Sequence, residues 1–357
     1  MWSGKDLAQH LSGHANSFNF VRLLAALSVV VSHSFLIVGG HAVEPLSRTG
    51  HYTLAQHAVN AFFVVSGLTL ASSLDRNPNL LHFAIARVLR IFPALFAYGV
   101  IFAFLIGPIF TPLPLSTYLS DFRTLSYPVI VLLRFDDAQV APGIFEGSPI
   151  GESLNEPLWT IPYELVAYCG LAAVFLTGIL RSRLGTALTL SASFLTLMSM
   201  EGLVDHTSLT HTSFHHLARY GFCFGVGMAA FRIAPPTRLV VALLPTTALA
   251  AWLLTGTSQA AAGEIVLVAN IVLVFGTLDF GMSTRWTRRH DISYGIYIYG
   301  WPLQQALVLA TPGVSPEHLG LLSIVILVPI GYASWHLVEA PALRRKLAPA
   351  RVGVALR

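Results

Sequence analysis

Ten long apolar segments constrain the fold of this 357-residue chain more than any other feature of its sequence. Each is close to the roughly 20 residues that a helix needs to cross a bilayer. Only 11% of the residues are charged, whereas a soluble domain carries about 25%. We therefore predict an all-α, polytopic integral membrane protein with about ten transmembrane helices. The predicted spans are residues 18–38, 57–74, 88–110, 157–180, 184–200, 216–231, 239–255, 264–280, 292–310 and 319–337.

The basic residues are distributed unevenly between the two sides of these spans. Sixteen of the 21 Lys and Arg residues lie in connections on one side, and only four lie on the other. By the positive-inside rule the richer side faces the cytoplasm, so both termini are predicted to be cytoplasmic. The net charge of +4 is thus explained by membrane topology. This charge distribution implies the lipid bilayer as a partner, and we predict no nucleic-acid partner.

We predict one transmembrane domain over residues 1–357, with a core at about 18–344 and no appended soluble domain. The connection 111–156 holds six of the 17 acidic residues and is rich in Pro and Gly. Loops of this length are often functional. We predict no metal site, and we interpret the outer histidines as a hydrated surface cluster because two of them are adjacent and point differently on a helix. They are His206, His211, His215 and His216.

The first span carries Arg22 and, eleven residues later, His33. Eleven residues are close to three helical turns, so both side chains lie on one face, roughly 16 Å apart along the axis. Arg22 alone is also explained as a side chain that reaches the membrane surface. His33 alone is also explained as a histidine bonded between helices. Together they favour a ligand path, with a cation for a phosphorylated donor and a deeper imidazole for proton transfer.

Two further cations begin the third span, where Arg87 and Arg90 are spaced i, i+3 on one face. Topology alone would place basic residues here, but the pair also fits a clamp for phosphate groups. On the second span, Ser66 and Gly67 allow another backbone to approach closely. Ser66 is a candidate lining residue, although helix packing alone accounts for this pair.

The fourth span contains a carboxylate, Glu164, about 10 Å below the outer surface by residue count. An ionisable residue inside a membrane is a functional candidate. We predict His33 as its partner, because a carboxylate orients an imidazole in catalytic triads. A packing ion pair is the alternative. Aromatic residues beside this carboxylate and at the start of the ninth span are further candidates to line a site: Trp159, Tyr163 and Tyr294.

Taken in order, these motifs resemble acyltransferase family 3, the membrane acyltransferases that modify surface glycans, lipids and some antibiotics. The resemblance rests on Arg-x10-His in the first span, FFVVSG in the second, RVLRIFP in the third and LWTIPYE in the fourth. SYGIYIYGWP in the ninth span and HLVEAP at the end of the tenth complete it. It implies ten core helices, a cytoplasmic acyl-CoA donor as co-substrate and an acceptor reached from the outer side. Functional roles carry over to Arg22, His33, Arg87 and Arg90, and less directly to Ser66 and Glu164.

One motif departs from the family pattern. Many members have histidine in a YLWHWP-like string on the ninth helix, where this chain has Tyr299-Gly300-Trp301. His33 is therefore the stronger candidate for a catalytic histidine. Relatives with a similar YIYGFP string are often assigned to exopolysaccharide or lipopolysaccharide acetylation, which favours a sugar acceptor.

The predicted function is transfer of an acyl group, expected to be acetyl, to a hydroxyl of a glycan or glycolipid outside a bacterial plasma membrane. His33 is the predicted general base or transient acyl carrier, with Glu164 to orient it. Arg22, Arg87 and Arg90 are predicted to bind the donor. The alternative is a transporter or flippase for a lipid-linked sugar, although such proteins tend to show repeated halves, which this sequence lacks. A homo-oligomer is compatible with both.

Overall fold

The computed structural model describes residues 7–12, 16–48, 50–135, 144–145, 147–150, 153–202 and 209–345. Within these ranges the chain forms α-helices joined by short 3-10 and π-helical turns, and no β-strand. The helices are α1 Leu7–Ser12, α2 Phe18–Gly39, α3 Leu54–Arg76, α4 Leu80–Ile101, α5 Gly107–Phe110, α6 Leu115–Ser120, α7 Phe122–Arg134, α8 Ile161–Thr177 and α9 Arg183–Glu201. They continue as α10 Leu209–Ile233, α11 Thr237–Ala242, α12 Leu244–Leu254, α13 Ala260–Thr277, α14 Met282–Arg289, α15 Ser293–Ala310, α16 Pro316–Ser334 and α17 Ala340–Arg344.

Seven helical segments in the described ranges are long and apolar enough to cross a membrane. Three other predicted spans lie on α9, α10 and α15, which carry more Ser, Thr, His, Gln and Tyr. The count of ten spans and the cytoplasmic termini therefore stay predictions. The seven segments are Phe18–Gly39, Leu54–Arg76, Leu80–Phe110, Glu156–Thr177, Thr237–Leu254, Ala260–Thr277 and Pro316–Arg344.

α2 and α3 are the centre of the bundle. α3 packs against α2, α10 and α13, and α2 packs against α15 and α16 on its other side. The chain begins α3 with a capping box, in which the Thr53 hydroxyl accepts from the Gln56 amide and the Gln56 side chain accepts from the Thr53 amide. This cap satisfies two backbone donors that the first turn would leave unpaired.

Small residues let α3 and α10 cross in close contact. A Cβ on Gly67 would lie 2.1 Å from the Phe224 carbonyl oxygen, and one on Gly227 would lie 2.1 Å from the Val64 carbonyl oxygen. Any larger residue would push the two backbones apart. The close backbone approach predicted at Ser66-Gly67 is therefore confirmed.

The segment before α8 runs inside the bundle along α15. The Asn155 side chain donates to the Ile298 carbonyl at 2.8 Å, and the Trp301 indole donates to the Ser153 carbonyl at 3.0 Å. These bonds satisfy backbone groups that would otherwise be unpaired in an apolar interior. As a result α8 starts deep in the bundle, which places its first turn beside α3 and α4.

Candidate functional site

The three arginines of two predicted motifs meet at one cavity of about 90 Å³. It is enclosed by α2, α3, α4, α8 and α15, and its walls also include the aromatic rings of Phe62, Phe63 and Tyr297. We call it the arginine cavity. It brings together six of the residues that the sequence predicted for the site: Arg22, Ser66, Arg87, Arg90, Glu164 and Tyr294.

Arg90 is held by two carboxylates. Its Nη2 donates to Asp291 Oδ2 at 2.8 Å, and its Nη1 donates to Glu339 Oε2 at 3.1 Å. The carboxylates are fixed in turn, because Ser293 Oγ donates to Asp291 Oδ1 at 2.7 Å and Ser334 Oγ donates to Glu339 Oε1 at 2.9 Å. Charge-assisted bonds of this kind fix the orientation of the guanidinium plane.

Arg87 has a different environment. Its guanidinium lies 5.9 Å from the centroid of the Phe83 ring and 5.8 Å from that of Tyr168, and its buried Nε has no hydrogen-bond partner among the described residues. No carboxylate of the described chain lies within ion-pair distance of it. A buried guanidinium donor without an acceptor is costly. Arg87 is thus a cation available to an anionic ligand.

The environment of Arg22 is intermediate between those of Arg90 and Arg87. Its Nη2 donates to Thr69 Oγ1 at 3.3 Å, and its Nη1 lies 4.0 Å from Asp291 Oδ2. The second contact is longer than a hydrogen bond. Some of the N–H groups of the Arg22 guanidinium therefore remain available to bind a ligand in the arginine cavity.

Asp291 is the acidic centre of the arginine group and precedes the first turn of α15. Burial by itself would raise the pKa of its carboxyl. The Arg90 and Arg22 guanidinium groups and the Ser293 hydrogen bonds outweigh burial, so the pKa of Asp291 lies below its ordinary value. Asp291 is therefore ionised at neutral pH, as its role as a partner of two arginines requires.

Glu164 does not pair with His33, and this prediction was wrong. Its Oε1 accepts a short hydrogen bond from the Tyr168 hydroxyl one turn along α8, and its carboxylate faces the arginine cavity. No hydrogen bond or ion pair joins it to His33 in the described structure. The prediction counted residues from an outer surface, whereas the segment that carries Asn155 packs along α15 before α8 begins.

His33 lies further along α2 and does not line the arginine cavity. Its ring packs edge-on against Trp301, with 4.9 Å between the ring centroids. Neither ring nitrogen of His33 forms a hydrogen bond or an ion pair with a described residue. Among the described residues, therefore, no carboxylate orients the imidazole as in a triad, and the Trp301 ring is the aromatic contact of His33.

Trp159 and Tyr163 also lie outside the arginine cavity. The Trp159 ring contacts His216 at 4.6 Å between centroids, and Tyr163 contacts Tyr220 at 5.6 Å. Tyr294 lines the cavity, where its ring lies 5.6 Å from the Arg90 guanidinium carbon.

Two residues that hold the arginine group were not recognised from the sequence. Asp291 lies just before the SYGIYIYGWP motif and Glu339 lies in HLVEAP, but neither was among the predicted site residues. An ionisable residue near the end of an apolar span was a signal for Glu339. Asp291 carried no comparable signal, because an aspartate before a helix is commonplace.

Of the histidines predicted as a surface cluster, His206 and the side chain of His211 lie outside the described residues. His215 Nε2 contacts Glu201 Oε1 at 2.7 Å, and His216 packs on Trp159 with its Nδ1 buried. For these two residues the interpretation as a hydrated surface cluster was therefore wrong. No group of three or more His, Cys, Asp or Glu side chains in the described part of the chain is arranged to hold a metal.

Membrane-length helices around an arginine-lined cavity define a multi-pass membrane protein with a polar site inside the bundle. Residues 15–336 match the family model of the acyltransferase domain that defines acyltransferase family 3. The chain therefore belongs to this family, as its motifs predicted.

Two curated relatives agree with this assignment. The chain is 28% identical over 349 residues to the O-acetyl transferase of Shigella phage Sf6, covering 93% of this chain and 97% of the relative. It is 29% identical over 374 aligned positions to Nodulation protein 10 of Rhizobium leguminosarum bv. viciae, covering 97% and 99%. No solved structure matches the chain significantly.

Proposed function

We propose that this protein transfers an acetyl group from cytoplasmic acyl-CoA to a hydroxyl of a glycan or glycolipid at the outer face of a bacterial plasma membrane. The observation that carries the proposal is the arginine cavity, which gathers three cations inside a bundle of an acyltransferase family. The relative named as an O-acetyl transferase supports acetyl as the group transferred. The phage and Rhizobium relatives support a bacterial membrane.

The three arginines take different parts in this proposal. Arg87 and Arg22 bind phosphate oxygens of the donor, because neither has a carboxylate at hydrogen-bond distance among the described residues. Arg90 is committed to Asp291 and Glu339 and acts as a positioning residue for the other two. The cavity is far smaller than the 300–1,000 Å³ that is typical of a ligand pocket, so only part of the donor enters it.

The transfer requires one proton acceptor and one leaving group. An acceptor hydroxyl attacks the thioester carbonyl carbon, a C–O bond forms, the C–S bond breaks, and the thiolate of CoA leaves and takes up a proton. His33 takes the hydroxyl proton as a general base. In the alternative route the His33 nitrogen accepts the acyl group first and passes it to the acceptor.

His33 lies roughly 16 Å from Arg22 along α2. The acyl-bearing arm of the donor would therefore extend from the arginine cavity past the wall formed by Val59 and Phe62. In this arrangement the phosphates stay at one end of α2, and the thioester reaches the imidazole at the other.

The test supplies acetyl-CoA, labelled in its acetyl group, to membranes that contain wild type, His33→Ala or His318→Ala together with the native acceptor. His318 is exposed at the start of α16 and serves as the matched histidine control. We expect label in a glycan or lipid fraction with wild type and His318→Ala, and none with His33→Ala. Label that stays on wild-type protein when the acceptor is withheld would select the acyl-histidine route.

Two results would overturn the proposal. Equal transfer by folded His33→Ala and wild type would remove His33 from the chemistry. No transfer by wild type, with folded protein and native acceptor present, would remove acyl-CoA as the donor.

A further inference from the structure

A second cavity, separate from the arginine cavity, opens between α8, α9 and α10. It has a volume of about 790 Å³, within the range of pockets that hold a small-molecule ligand. We call it the apolar crevice. Side chains on its rim face outward from the bundle: Val166 is 49% exposed and Phe214 is 56% exposed. In a membrane protein such apolar rims face hydrocarbon, so the crevice opens sideways into the bilayer.

The described walls of the apolar crevice are mostly apolar and carry no charge. No Asp, Glu, Lys, Arg or His is among the lining residues that the structure describes. Its two aliphatic hydroxyls are satisfied by their own helix, since Ser193 Oγ donates to the Leu190 carbonyl at 2.8 Å and Thr196 Oγ1 donates to the Ala192 carbonyl at 2.9 Å. Its surface therefore matches a hydrocarbon chain and offers nothing to a charged ligand.

Two glycines keep the crevice open. Gly170 on α8 and Gly221 on α10 both line it, and a Cβ built on either meets no atom within 4 Å. A larger side chain at these positions would project into the crevice without displacing backbone. This differs from Gly67, where a Cβ meets a neighbouring carbonyl.

The inner end of the apolar crevice reaches the candidate site. Tyr220 lines the crevice and stacks on Phe63, with 4.3 Å between centroids and 6° between planes, and Phe63 lines the arginine cavity. One pair of rings thus separates the two cavities. The Tyr220 hydroxyl is buried and has no hydrogen-bond partner within the described residues, and neither has His216 Nδ1 beside it. Unpaired buried groups of this kind require a ligand or ordered water.

We propose that the apolar crevice binds the hydrocarbon chain of a lipid-linked acceptor and presents its polar head to Tyr220 and His216. An acceptor held in this way enters from the bilayer, beside the aromatic wall of the arginine cavity. The inference rests on the proposed function only in naming this lipid as the acceptor. A bulk phospholipid chain in the same crevice is the competing occupant.

The experiment uses the full-length protein in nanodiscs and two photoactivatable probes. One is an alkyl glycoside with a diazirine on its chain, and the other is a phosphatidylcholine with the same diazirine at the same depth. Labelling of α8 and α10 peptides is read by mass spectrometry for wild type, Gly170→Leu, Gly221→Leu and Ala173→Leu. Ala173 is exposed on α8 outside the crevice and is the matched control.

We expect the alkyl glycoside to label α8 and α10 in wild type and Ala173→Leu, and labelling to fall several-fold in both glycine variants. Unlabelled alkyl glycoside should compete, whereas unlabelled phosphatidylcholine should not. Labelling that persists in a folded glycine variant, or equal competition by phosphatidylcholine, overturns the proposal. If one glycine variant fails to fold, the other decides. Because labelling needs no acyl transfer, this result is independent of whether the proposed chemistry is correct.

Discussion

Arg90 and Asp291, 201 positions apart in sequence, form a direct ion pair in which Nη2 donates to Oδ2 at 2.8 Å. Asp291 precedes α15 and Arg90 lies in α4, so this pair ties together two helices of the candidate site. Glu339 binds the other edge of the same guanidinium at 3.1 Å. The pair therefore fixes the position of the Arg90 guanidinium beside the arginine cavity.

Removing the charge of Asp291 is expected to destabilise the protein. Asp291→Asn leaves Arg90 with one carboxylate and removes the anion nearest Arg22, and breaking a buried ion pair by losing one partner costs about 3–5 kcal/mol. We expect the free energy of unfolding to fall by about 3 kcal/mol, measured by denaturant titration in detergent. The control Asp279→Asn, at an exposed aspartate of the preceding loop, should change it by less than about 0.5 kcal/mol. An equal loss of unfolding free energy in both variants would contradict a stabilising role for the ion pairs of Asp291.

The same pair predicts how stability depends on pH. A carboxyl whose pKa is lower in the folded protein stabilises the fold above its unfolded pKa, about 3.9 for Asp, and this contribution is lost as pH falls through the folded pKa. The stability difference between wild type and Asp291→Asn should shrink below about pH 4. A difference that already disappears near neutral pH would show that Asp291 is protonated in the folded protein.

Arg87 and Arg90 should respond differently to truncation. Arg87→Ala removes a cation without a carboxylate partner, so we expect the KM for acyl-CoA to rise by about tenfold to a hundredfold, equivalent to the roughly 1.5–3 kcal/mol of a charged hydrogen bond. Its thermal stability should change little. Arg90→Ala leaves Glu339 without its ion-pair partner and Asp291 with only the longer contact to Arg22, so the stability of this variant should fall markedly. Donor titrations and thermal unfolding of both variants provide the comparison, and the reverse pattern would exchange the two roles.

Glu164 is expected to act with Tyr168 and independently of His33. In a double-mutant cycle on unfolding free energy, Glu164→Gln and Tyr168→Phe should be non-additive by about 0.5–3 kcal/mol, because their side chains share a hydrogen bond. Glu164→Gln and His33→Ala should add within about 0.5 kcal/mol. Strong coupling in the second cycle would restore the pairing of Glu164 with His33 that the structure does not show.

The crossing of α3 and α10 predicts a steric effect at one glycine. A Cβ in Gly67→Ala would lie 2.1 Å from the Phe224 carbonyl oxygen, so the helices must separate. Overpacking of this kind costs about 1–3 kcal/mol. Gly221→Ala on α10 is the control, because its Cβ meets open space. Unfolding in detergent should show a loss for the first variant and little change for the second.

The predictions that the structure supports are those in which helical geometry alone decides which side chains share a face. Arg87 and Arg90 share a face because they are three residues apart, and both line the arginine cavity. Glu164 was misassigned because its depth depends on how Ser153 and Asn155 bond to α15, which no local pattern encodes.

The sequence by itself determined the helical class and the membrane-length segments, and its motifs indicated the family and six residues that line the arginine cavity. The class and the segments follow from apolar length and charge distribution, whereas the family and the roles of those residues follow from the resemblance of the motifs. Only the tertiary structure decided which arginine is already paired, that Glu164 faces the cations instead of His33, and that an apolar crevice ends beside the site. Those outcomes depend on contacts such as Arg90 with Glu339, 249 positions apart, whose geometry exists only once the helices have packed.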